Sequence, residues 1–339
     1  MAEVNTWTLA DQRCRARAPY LVDPTRIREF ARAVRDFHPA HWSVTAAADL
    51  GYRGLLAPVP FACAILGDVQ RELLDTIRAD YPAARILHAD QVIDTVRPLV
   101  AGDRLTGDLA VESTRQFADY DVLTIRSVLT DQHAAVVQTG STALLARTGP
   151  AGARMAETIR AIGTGDPRPP RPSTVEHRGP LPRPPVPVRH STARALTVGE
   201  ELAPHRIRLC FDDVLHYAAI VGHHGPDSPD AATATDTMKL GLAAAFLSTR
   251  LGDPAVITRL RAQFAHFTHA LRIAPGATRE LEFRGRVAAL DARRHRATIA
   301  LDARCDGRPV FGYAAAEVAL PRRDRVLTRP ISLARRTTR

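Results

Sequence analysis

The stretch "VPFACAILGDVQRELL", residues 59–74, decides the fold because it is a strongly apolar helical segment between a polar loop and a series of strand-like segments. A second segment of the same kind, "MKLGLAAAFLSTRL", residues 238–251, holds the corresponding place in the second half of the chain. A helix that is apolar around most of its circumference is buried. The sequence therefore predicts two copies of one unit, each built around a buried helix.

An amphipathic helix precedes the buried helix in each half. In "VDPTRIREFARAV", residues 22–34, Asp23 is placed to cap the helix and Pro24 to occupy its first position. Its apolar face repeats in "FDDVLHYAAIV", residues 211–221, at Val214, Tyr217, Ala218 and Val221. Each of these helices leads into a short polar loop that contains proline, "RDFHPAH" in the first half and "GHHGPDS" in the second.

Strand patterns follow each buried helix. They are "LTGDLAV" and "DVLTIRSVLT" in the first half, and "LEFRGRV" and "ATIALDARC" in the second, where a hairpin signal follows at residues 305–308. Each half thus contains a helix, a loop, a buried helix and several antiparallel strands. This repeated order predicts an α+β protein in which a curved sheet wraps each buried helix.

Prolines divide the chain between these two units. Ten of them lie between residues 150 and 187, which predicts an extended connector because proline can neither continue a helix nor donate to a sheet. We predict an N-terminal repeat at residues 1–148, a linker at 149–192, a C-terminal repeat at 193–322 and a disordered basic tail at 323–339.

Composition predicts a soluble protein of the cytoplasm. The chain has 339 residues, 45% of them apolar and 24% charged, which suits two globular domains. The four cysteines lie far apart, which argues against a disulfide framework and a structural zinc site and fits a reducing compartment. No signal peptide is evident, and the longest apolar stretch, residues 54–67, is too short to span a membrane.

The net charge of +10 does not predict nucleic-acid binding. Lys239 is the only lysine, and the arginines are spread over the whole chain, with no basic run interleaved with aromatic residues. A basic surface of this kind would still attract an acidic carrier protein.

One acid and one imidazole flank a proline in "RDFHPAH". On a regular helix Asp36 and His41 would diverge by about 140°, but a loop bent at Pro39 can bring them together. They could then act as an acid–base pair on one water molecule. The alternative is that Asp36 ends a helix and His41 is an ordinary surface loop residue.

The order of elements resembles the hotdog fold, and the motifs resemble MaoC-like (R)-specific enoyl hydratases and (3R)-hydroxyacyl-carrier-protein dehydratases. "AADLGYRGLLAPVPFACAILG" is similar to the first subunit of the heterodimeric dehydratase of fatty-acid elongation, and "LGDPAVITRLRAQFAHFTHALRI" is similar to its second subunit. The chain thus resembles a fusion of the two subunits, a double hotdog.

The family's signature is a glycine, then Asp-x-Asn-Pro-x-His, then five residues and a small one. Asp36, Pro39 and His41 match it, with Ala47 as the small residue, whereas Arg35 replaces the glycine and His38 the asparagine. In the second half Gly222 and Pro226 are kept, but His223 replaces the aspartate and Ser228 the histidine. The resemblance therefore implies a catalytic first repeat and an architectural second repeat.

The resemblance also assigns further site residues. The backbone N–H of Gly54, expected at the amino end of the buried helix, would stabilise the enolate oxygen. His38, Arg53 and Cys63 are possible pocket residues; the alternatives are that His38 is an ordinary polar loop residue and that Cys63 is a small core thiol. The resemblance implies no metal and no redox cofactor.

The predicted function is a hydro-lyase that dehydrates (3R)-hydroxyacyl thioesters, or hydrates trans-2-enoyl thioesters, carried by coenzyme A or acyl carrier protein. Such a protein would be a monomeric double hotdog or a homodimer. The first alternative is a non-catalytic double hotdog that binds acyl chains or a separate active subunit. The second alternative is an acyl thioesterase.

Overall fold

The computed structural model describes residues 12–80, 86–117, 120–147, 196–222, 230–264 and 271–320. Five α-helices lie in these ranges: α1 Pro24–Ala33, α2 Val44–Asp49, α3 Ala62–Asp80, α4 Phe211–Ile220 and α5 Asp236–Leu251. The strands of the first repeat are β1 Arg13–Arg15, β2 Tyr20–Leu21, β3 Ile86–Thr95, β4 Arg104–Phe117, β5 Tyr120–Thr130 and β6 Val136–Arg147. The strands of the second repeat are β7 Glu201–Cys210, β8 Ala232–Thr233, β9 Ile257–Phe264, β10 Arg272–Ile273, β11 Thr278–Asp291, β12 Arg296–Cys305, β13 Arg308–Pro309 and β14 Phe311–Ala319. The predicted linker and basic tail lie outside the described residues, so the domain boundaries stay predictions.

One antiparallel sheet unites the two repeats. Its strand order is β1-β4-β5-β6-β3-β9-β14-β12-β11-β7, with β2 beside β4 and β13 beside β12, while β8 and β10 pair separately. Each repeat contributes one half of the sheet and one long apolar helix, α3 or α5, and a single hydrophobic core includes both helices. The predicted α+β class and the duplication are therefore confirmed.

The predicted helix starts agree with the structure at α1. The Asp23 carboxylate accepts hydrogen bonds from the backbone N–H groups of Thr25 and Arg26, and Pro24 is the first helical residue. The apolar face of α1 is buried, as is the corresponding face of α4. The hairpin at residues 305–308 is also confirmed, with Asp306 and Gly307 at positive φ.

The buried helix of the first repeat begins later than its apolar pattern indicates. Residues Val59–Phe61 form a single 3-10 turn, and α3 starts at Ala62. Pro58 and Pro60 explain the difference, since a proline disfavours helical conformation in the residue before it. Among the described residues no helix is both long and apolar enough to span a membrane.

Strands β3 and β9 join the two halves of the sheet. Asp94 lies opposite Arg259 in the register, and the guanidinium donates to both carboxylate oxygens at 2.7 and 3.0 Å. Arg261 donates to Asp90 in the same manner, with a shortest distance of 2.6 Å. Opposite charges across neighbouring strands stabilise one register over its alternatives. These ion pairs fix the register of β3 against β9, the two strands at which the repeats meet; we call this junction the β3–β9 seam.

Two glycines, one on the central helix of each repeat, allow that helix to touch the other repeat. A Cβ atom on Gly67 of α3 would lie 2.5 Å from the carbonyl oxygen of Val221, which follows α4. A Cβ atom on Gly241 of α5 would collide with the side chain of Val34, which follows α1. The two contacts are equivalent, because each central helix meets the end of the amphipathic helix of the other repeat. This reciprocal contact leaves no room for a methyl group on either side.

Gly67→Ala and Gly241→Ala should each lower the free energy of unfolding by about 1–3 kcal/mol, because the added methyl overpacks the contact between the repeats. The loss would occur even though alanine is the better helix former by about 1 kcal/mol. Urea unfolding followed by circular dichroism measures the change. Gly312→Ala in β14 is the control, since its nearest neighbour would be 3.8 Å away. Equal stability of all three variants would contradict this packing.

Candidate active site

The carboxyl end of α1 positions Asp36. Arg35 has φ of 57°, in the left-handed region, and its N–H donates to the carbonyl oxygen of Arg32 at 3.1 Å. The N–H of Asp36 then donates to the carbonyl oxygen of Ala31 at 2.7 Å. These two bonds form the Schellman motif, which ends the helix and turns the chain sharply. Asp36 is thereby directed inward and only 1% of its surface is exposed.

A single 3-10 turn, Pro39–His41, positions the imidazole. His38 caps the turn, because its Nδ1 accepts a hydrogen bond from the N–H of Ala40 at 3.2 Å. The carbonyl oxygen of Ala40 accepts from the N–H of Leu56 at 3.0 Å, which ties the turn to the neighbouring segment. His41 is completely buried.

The loop brings the two side chains together. Nε2 of His41 lies 3.2 Å from Oδ2 of Asp36. The ends of these side chains face the same point, although the sequence places them five residues apart with Pro39 between them. The structure therefore agrees with the geometry expected of an acid–base pair and differs from the surface-loop alternative.

Hydrogen bonds fix the tautomer of His41. Its Nδ1 lies 2.7 Å from the carbonyl oxygen of Leu56. Because a carbonyl oxygen only accepts, Nδ1 must carry the proton, and Nε2 of the neutral ring presents a lone pair toward Asp36. Nε2 has no hydrogen-bond partner among the described residues. A proton held between Nε2 and Oδ2, or a donor molecule that bridges them, would satisfy both atoms.

The second repeat holds the other carboxylate oxygen. Oδ1 of Asp36 accepts from the hydroxyl of Ser248 at 2.7 Å and from the backbone N–H of His38 at 3.1 Å. Ser248 is buried on α5, so this contact crosses between the repeats. Sequence reasoning missed Ser248. The available signal was a hydroxyl within an otherwise apolar helical segment.

His38 has a structural role in this loop. Its Nε2 donates to the carbonyl oxygen of Gly252, which ends α5, at 3.0 Å, and its Nδ1 accepts from Ala40. Burial lowers the pKa of His38, and the neighbouring His41 lowers it further, while the bond to Gly252 opposes both effects. A neutral ring satisfies both contacts. These contacts agree with the alternative of a polar loop residue at His38, and a role for it in the pocket stays a prediction.

A small, mostly apolar depression that is partly open to solvent lies between the two repeats. The first repeat contributes Leu56–Val59, Thr95 and Gln138, and the second contributes Pro254 and Ile257. Leu56 connects it to the pair, since its carbonyl oxygen holds His41. We refer to it as the inter-repeat pocket.

Comparison with known proteins shows what the chain is similar to. Residues 13–140 match the model of the FAS1-like dehydratase domain region. A UPF0336 protein of Streptomyces coelicolor is 36% identical over 130 residues, which are 38% of this chain and 87% of that protein. A solved MaoC-like dehydratase is 28% identical and superimposes with a TM-score of 0.76 over 92% of this chain and 99% of its own. The chain belongs to the family of the UPF0336 proteins and is similar to MaoC-like dehydratases.

The double-hotdog architecture is also confirmed. Rv0216 of Mycobacterium tuberculosis, described as a double hotdog fold, superimposes with a TM-score of 0.60 over 91% of this chain and 96% of its own, at 13% identity. The assignment of Asp36 and His41 to the acid and imidazole positions of the dehydratase motif stays a prediction. His223 and Ser228, the altered positions of the second repeat, lie outside the described residues.

The structure corrects the placement of Gly54. It was expected at the amino end of the buried helix, but α3 begins eight residues later, at Ala62, after Pro58 and Pro60. Gly54 instead lies in a buried segment two residues before Leu56, packed against Val100 and Ala101. Its N–H therefore has no helix dipole behind it.

Arg53 and Cys63 do not line the inter-repeat pocket. Arg53 is mostly exposed and donates to the buried carboxylate of Asp103 at 2.6 Å, which also accepts from Arg97 at 2.6 Å. Burial raises the pKa of Cys63 to about 12, so the thiol stays protonated. Both have structural explanations. Within the described ranges, no group of three or more His, Cys, Asp or Glu residues could hold a metal ion.

Arg35 compensates for the missing glycine of the motif. The left-handed conformation is unfavourable for any residue with a Cβ atom. The Arg35 guanidinium offsets this cost, because it donates to the Asp213 carboxylate of α4 at 2.6 Å. Burial raises the pKa of Asp213, yet hydrogen bonds from Cys210 and Arg35 outweigh it and hold the pKa below its usual value. Arginine in place of glycine thus strains the backbone at this position but adds a hydrogen bond between the two repeats.

Arg35→Gly should be more stable than Arg35→Ala by about 1 kcal/mol, because both lose the ion pair but only glycine relieves the left-handed strain. Thermal or urea unfolding of the two variants measures the difference. Arg53 is the matched position, since it is not among the residues with positive φ. There alanine should be at least as stable as glycine, and the same order at both positions would refute the explanation.

Proposed function

We propose that the protein catalyses the reversible addition of water to trans-2-enoyl thioesters, which yields (3R)-hydroxyacyl thioesters, with Asp36 and His41 as its acid–base pair. One observation carries this proposal. Two buried polar atoms, His41 Nε2 and Asp36 Oδ2, face each other at 3.2 Å, while the remaining polar atom of each side chain is fixed by other bonds. The match to the FAS1-like dehydratase domain region and the similarity to a MaoC-like dehydratase support a dehydratase activity of this general kind.

The pair can supply both proton transfers. With Asp36 ionised and His41 neutral, Oδ2 and Nε2 are both acceptors, so one water molecule can donate a hydrogen to each. As the water oxygen bonds to C3 of the enoyl group, the pair takes one proton from it, and the electrons of the C2=C3 double bond move toward the thioester carbonyl. The pair then returns one proton to C2. Atoms balance, because one water adds across the double bond, and dehydration is the reverse.

The surroundings favour this cycle. Burial removes bulk water that would compete for the lone pairs, and it strengthens each remaining electrostatic interaction. After the first transfer the imidazolium lies beside the Asp36 carboxylate, which stabilises it. The N–H of Gly54 stays a candidate donor to the thioester oxygen, since Gly54 lies on the segment that holds His41, but it acts without a helix dipole.

The second repeat takes part through Ser248. Its hydroxyl holds Oδ1 of Asp36 and leaves Oδ2 free to face the reacting water. Since the first repeat alone carries the Asp–His pair in the described residues, we propose that the second repeat positions rather than reacts. The thioester would be carried by coenzyme A or acyl carrier protein, and the basic net charge favours an acidic partner. The addition of water needs neither a metal nor a redox cofactor.

Asp36→Asn and His41→Ala should each reduce kcat for hydration of crotonyl-coenzyme A by at least about 10²-fold, the usual contribution of a general acid–base group. The loss of absorbance of the conjugated enoyl thioester measures the rate. Asp90→Asn, which removes an acid from the seam between β3 and β9, is the control for folding and should keep wild-type activity. Free-thiol release in the same assay would instead indicate a thioesterase.

Turnover in both Asp36→Asn and His41→Ala at the wild-type rate would overturn the assignment of the pair. A wild-type protein that turns over neither coenzyme A nor carrier-protein thioesters, but binds them, would favour the non-catalytic alternative.

Ser248→Ala should lower kcat by about tenfold with KM nearly unchanged, because Asp36 loses the bond that orients it while the pocket is kept. The neighbouring Thr249→Ala is a matched control, since the Thr249 hydroxyl donates only to the backbone carbonyl of Ala245, at 2.9 Å. Equal kcat values for the two variants would exclude a positioning role for Ser248.

A further inference from the structure

The ring of His38 makes two hydrogen bonds that together allow only one protonation state. Nδ1 lies 3.2 Å from the backbone N of Ala40, whose N–H can only donate, so Nδ1 must present a lone pair. Nε2 lies 3.0 Å from the carbonyl oxygen of Gly252, which can only accept, so Nε2 must carry the hydrogen. The ring is therefore neutral, with its hydrogen on Nε2.

Protonation of this ring would break one of the two bonds and keep the other. The second hydrogen would go to Nδ1, where it would face the N–H of Ala40, and two donors would meet. Nε2 would still donate to Gly252 at the end of α5. A charged His38 would therefore stay bound to the second repeat and lose its bond to the turn of the first.

The bond that would be lost caps the turn that carries His41. Because Pro39 has no N–H, the N–H of Ala40 is the first in the turn that needs an acceptor, and the His38 ring supplies it. Loss of a capping acceptor destabilises the start of a helix, and this 3-10 turn has only three residues. Since His41 is the last of them, a loosened turn moves its imidazole away from Asp36.

Three titratable groups face the His38 ring: Asp36 and His41 on its own loop, and Asp253 on the second repeat. Burial has the largest effect and lowers the pKa of His38, and His41 lowers it further. The bond to Gly252 and the two carboxylates raise the pKa, but the net result lies below the ordinary value for histidine.

Both carboxylates have other hydrogen-bond donors. Asp36 Oδ1 accepts from the hydroxyl of Ser248 at 2.7 Å, and Asp253 Oδ2 accepts from the hydroxyl of Tyr52 at 3.1 Å. They therefore compensate a charge on His38 only in part. The surroundings favour the neutral ring, and with it the closed turn.

We propose that His38 is a titratable positioning residue, whose neutral ring keeps the turn with His41 closed against Asp36 and whose charged ring releases it. The consequence for turnover rests on the proposed function, whereas the release of the turn does not.

The sign of the pH dependence follows from the two states of the turn. In the open turn His38 titrates near the ordinary histidine pKa of about 6.5, and in the closed turn its pKa is lower. The open turn therefore binds more protons between these two values. Closure is complete above the ordinary value and is lost progressively as the pH falls from there through the lower pKa.

Nuclear magnetic resonance of the full chain, labelled with nitrogen-15, tests the release without turnover. Trp42 follows His41 directly, and its indole N–H donates to the carbonyl oxygen of Asp36 at 3.0 Å, so its signal reports the closed turn. Trp7→Phe removes the other tryptophan of the chain and leaves one indole signal. In this background the signal should shift as the pH falls from about 7.5 to about 5.5, with a midpoint below about 6.5.

His38→Asn should abolish this shift, because the amide oxygen of asparagine can cap the turn but does not titrate. His205→Asn is the matched control. His205 lies on β7, outside the loop, and burial lowers its pKa as it does that of His38. The His205→Asn variant should keep the shift of the parent protein.

The pH dependence of hydration measures the consequence for turnover. For each protein, kcat for crotonyl-coenzyme A at about pH 5.5 is divided by its own kcat at about pH 8. This ratio should be about fivefold higher in His38→Asn than in the wild type, which is the effect of one capping bond. His38→Ala should have a lower kcat at both pH values, because it lacks the cap in every protonation state.

An indole shift that persists in His38→Asn, or that disappears in His205→Asn as well, would overturn the role of His38. Equal kcat ratios in the wild type and His38→Asn would also overturn it. A wild type without turnover at either pH would contradict the proposed function alone, and the indole signal would still decide whether His38 holds the turn.

Discussion

The two repeats approach each other at Gly67 and Gly241 so closely that neither position has room for a side chain. Each glycine sits where a central helix meets the end of the amphipathic helix of the other repeat, at Val221 and Val34. A methyl group at either position would separate the repeats or distort these helix ends. Val34 lies two residues before Asp36. The contact that joins the repeats therefore also fixes the start of the loop that carries Asp36 and His41.

This arrangement explains why the Asp36–His41 pair, which lies in the first repeat, depends on both repeats. The Asp36–His41 loop belongs to the first repeat, but Ser248 holds Asp36 and the carbonyl oxygen of Gly252 holds His38, and both lie in the second. The ion pair between Arg35 and Asp213 adds a third bond across the same boundary. The second repeat lacks the Asp–His motif but still has a role, because it holds Asp36, His38 and Arg35 in place. Its sheet is continuous with that of the first repeat.

Sequence patterns predicted what depends on local chemistry. The cap at Asp23, the buried faces of α1 and α4, and the duplication follow from spacing and from the preferences of proline and aspartate. The predicted start of α3 was wrong because an apolar run does not reveal that Pro58 and Pro60 delay the helix. The predicted place of Gly54 at the amino end of that helix was wrong for the same reason. The contact between Ser248 and Asp36 and the β3–β9 seam could not be predicted, because each joins segments more than 40 residues apart in the sequence.

We propose that Asp36 and His41 hold the oxygen that is added to or removed from C3. A crystal structure of the protein with bound (3R)-3-hydroxybutyryl-coenzyme A would show the position of this oxygen. The C3 hydroxyl oxygen should lie within hydrogen-bond distance, roughly 2.6–3.2 Å, of both Asp36 Oδ2 and His41 Nε2. A complex in which that oxygen contacts neither group, while the thioester is fully ordered, would contradict it.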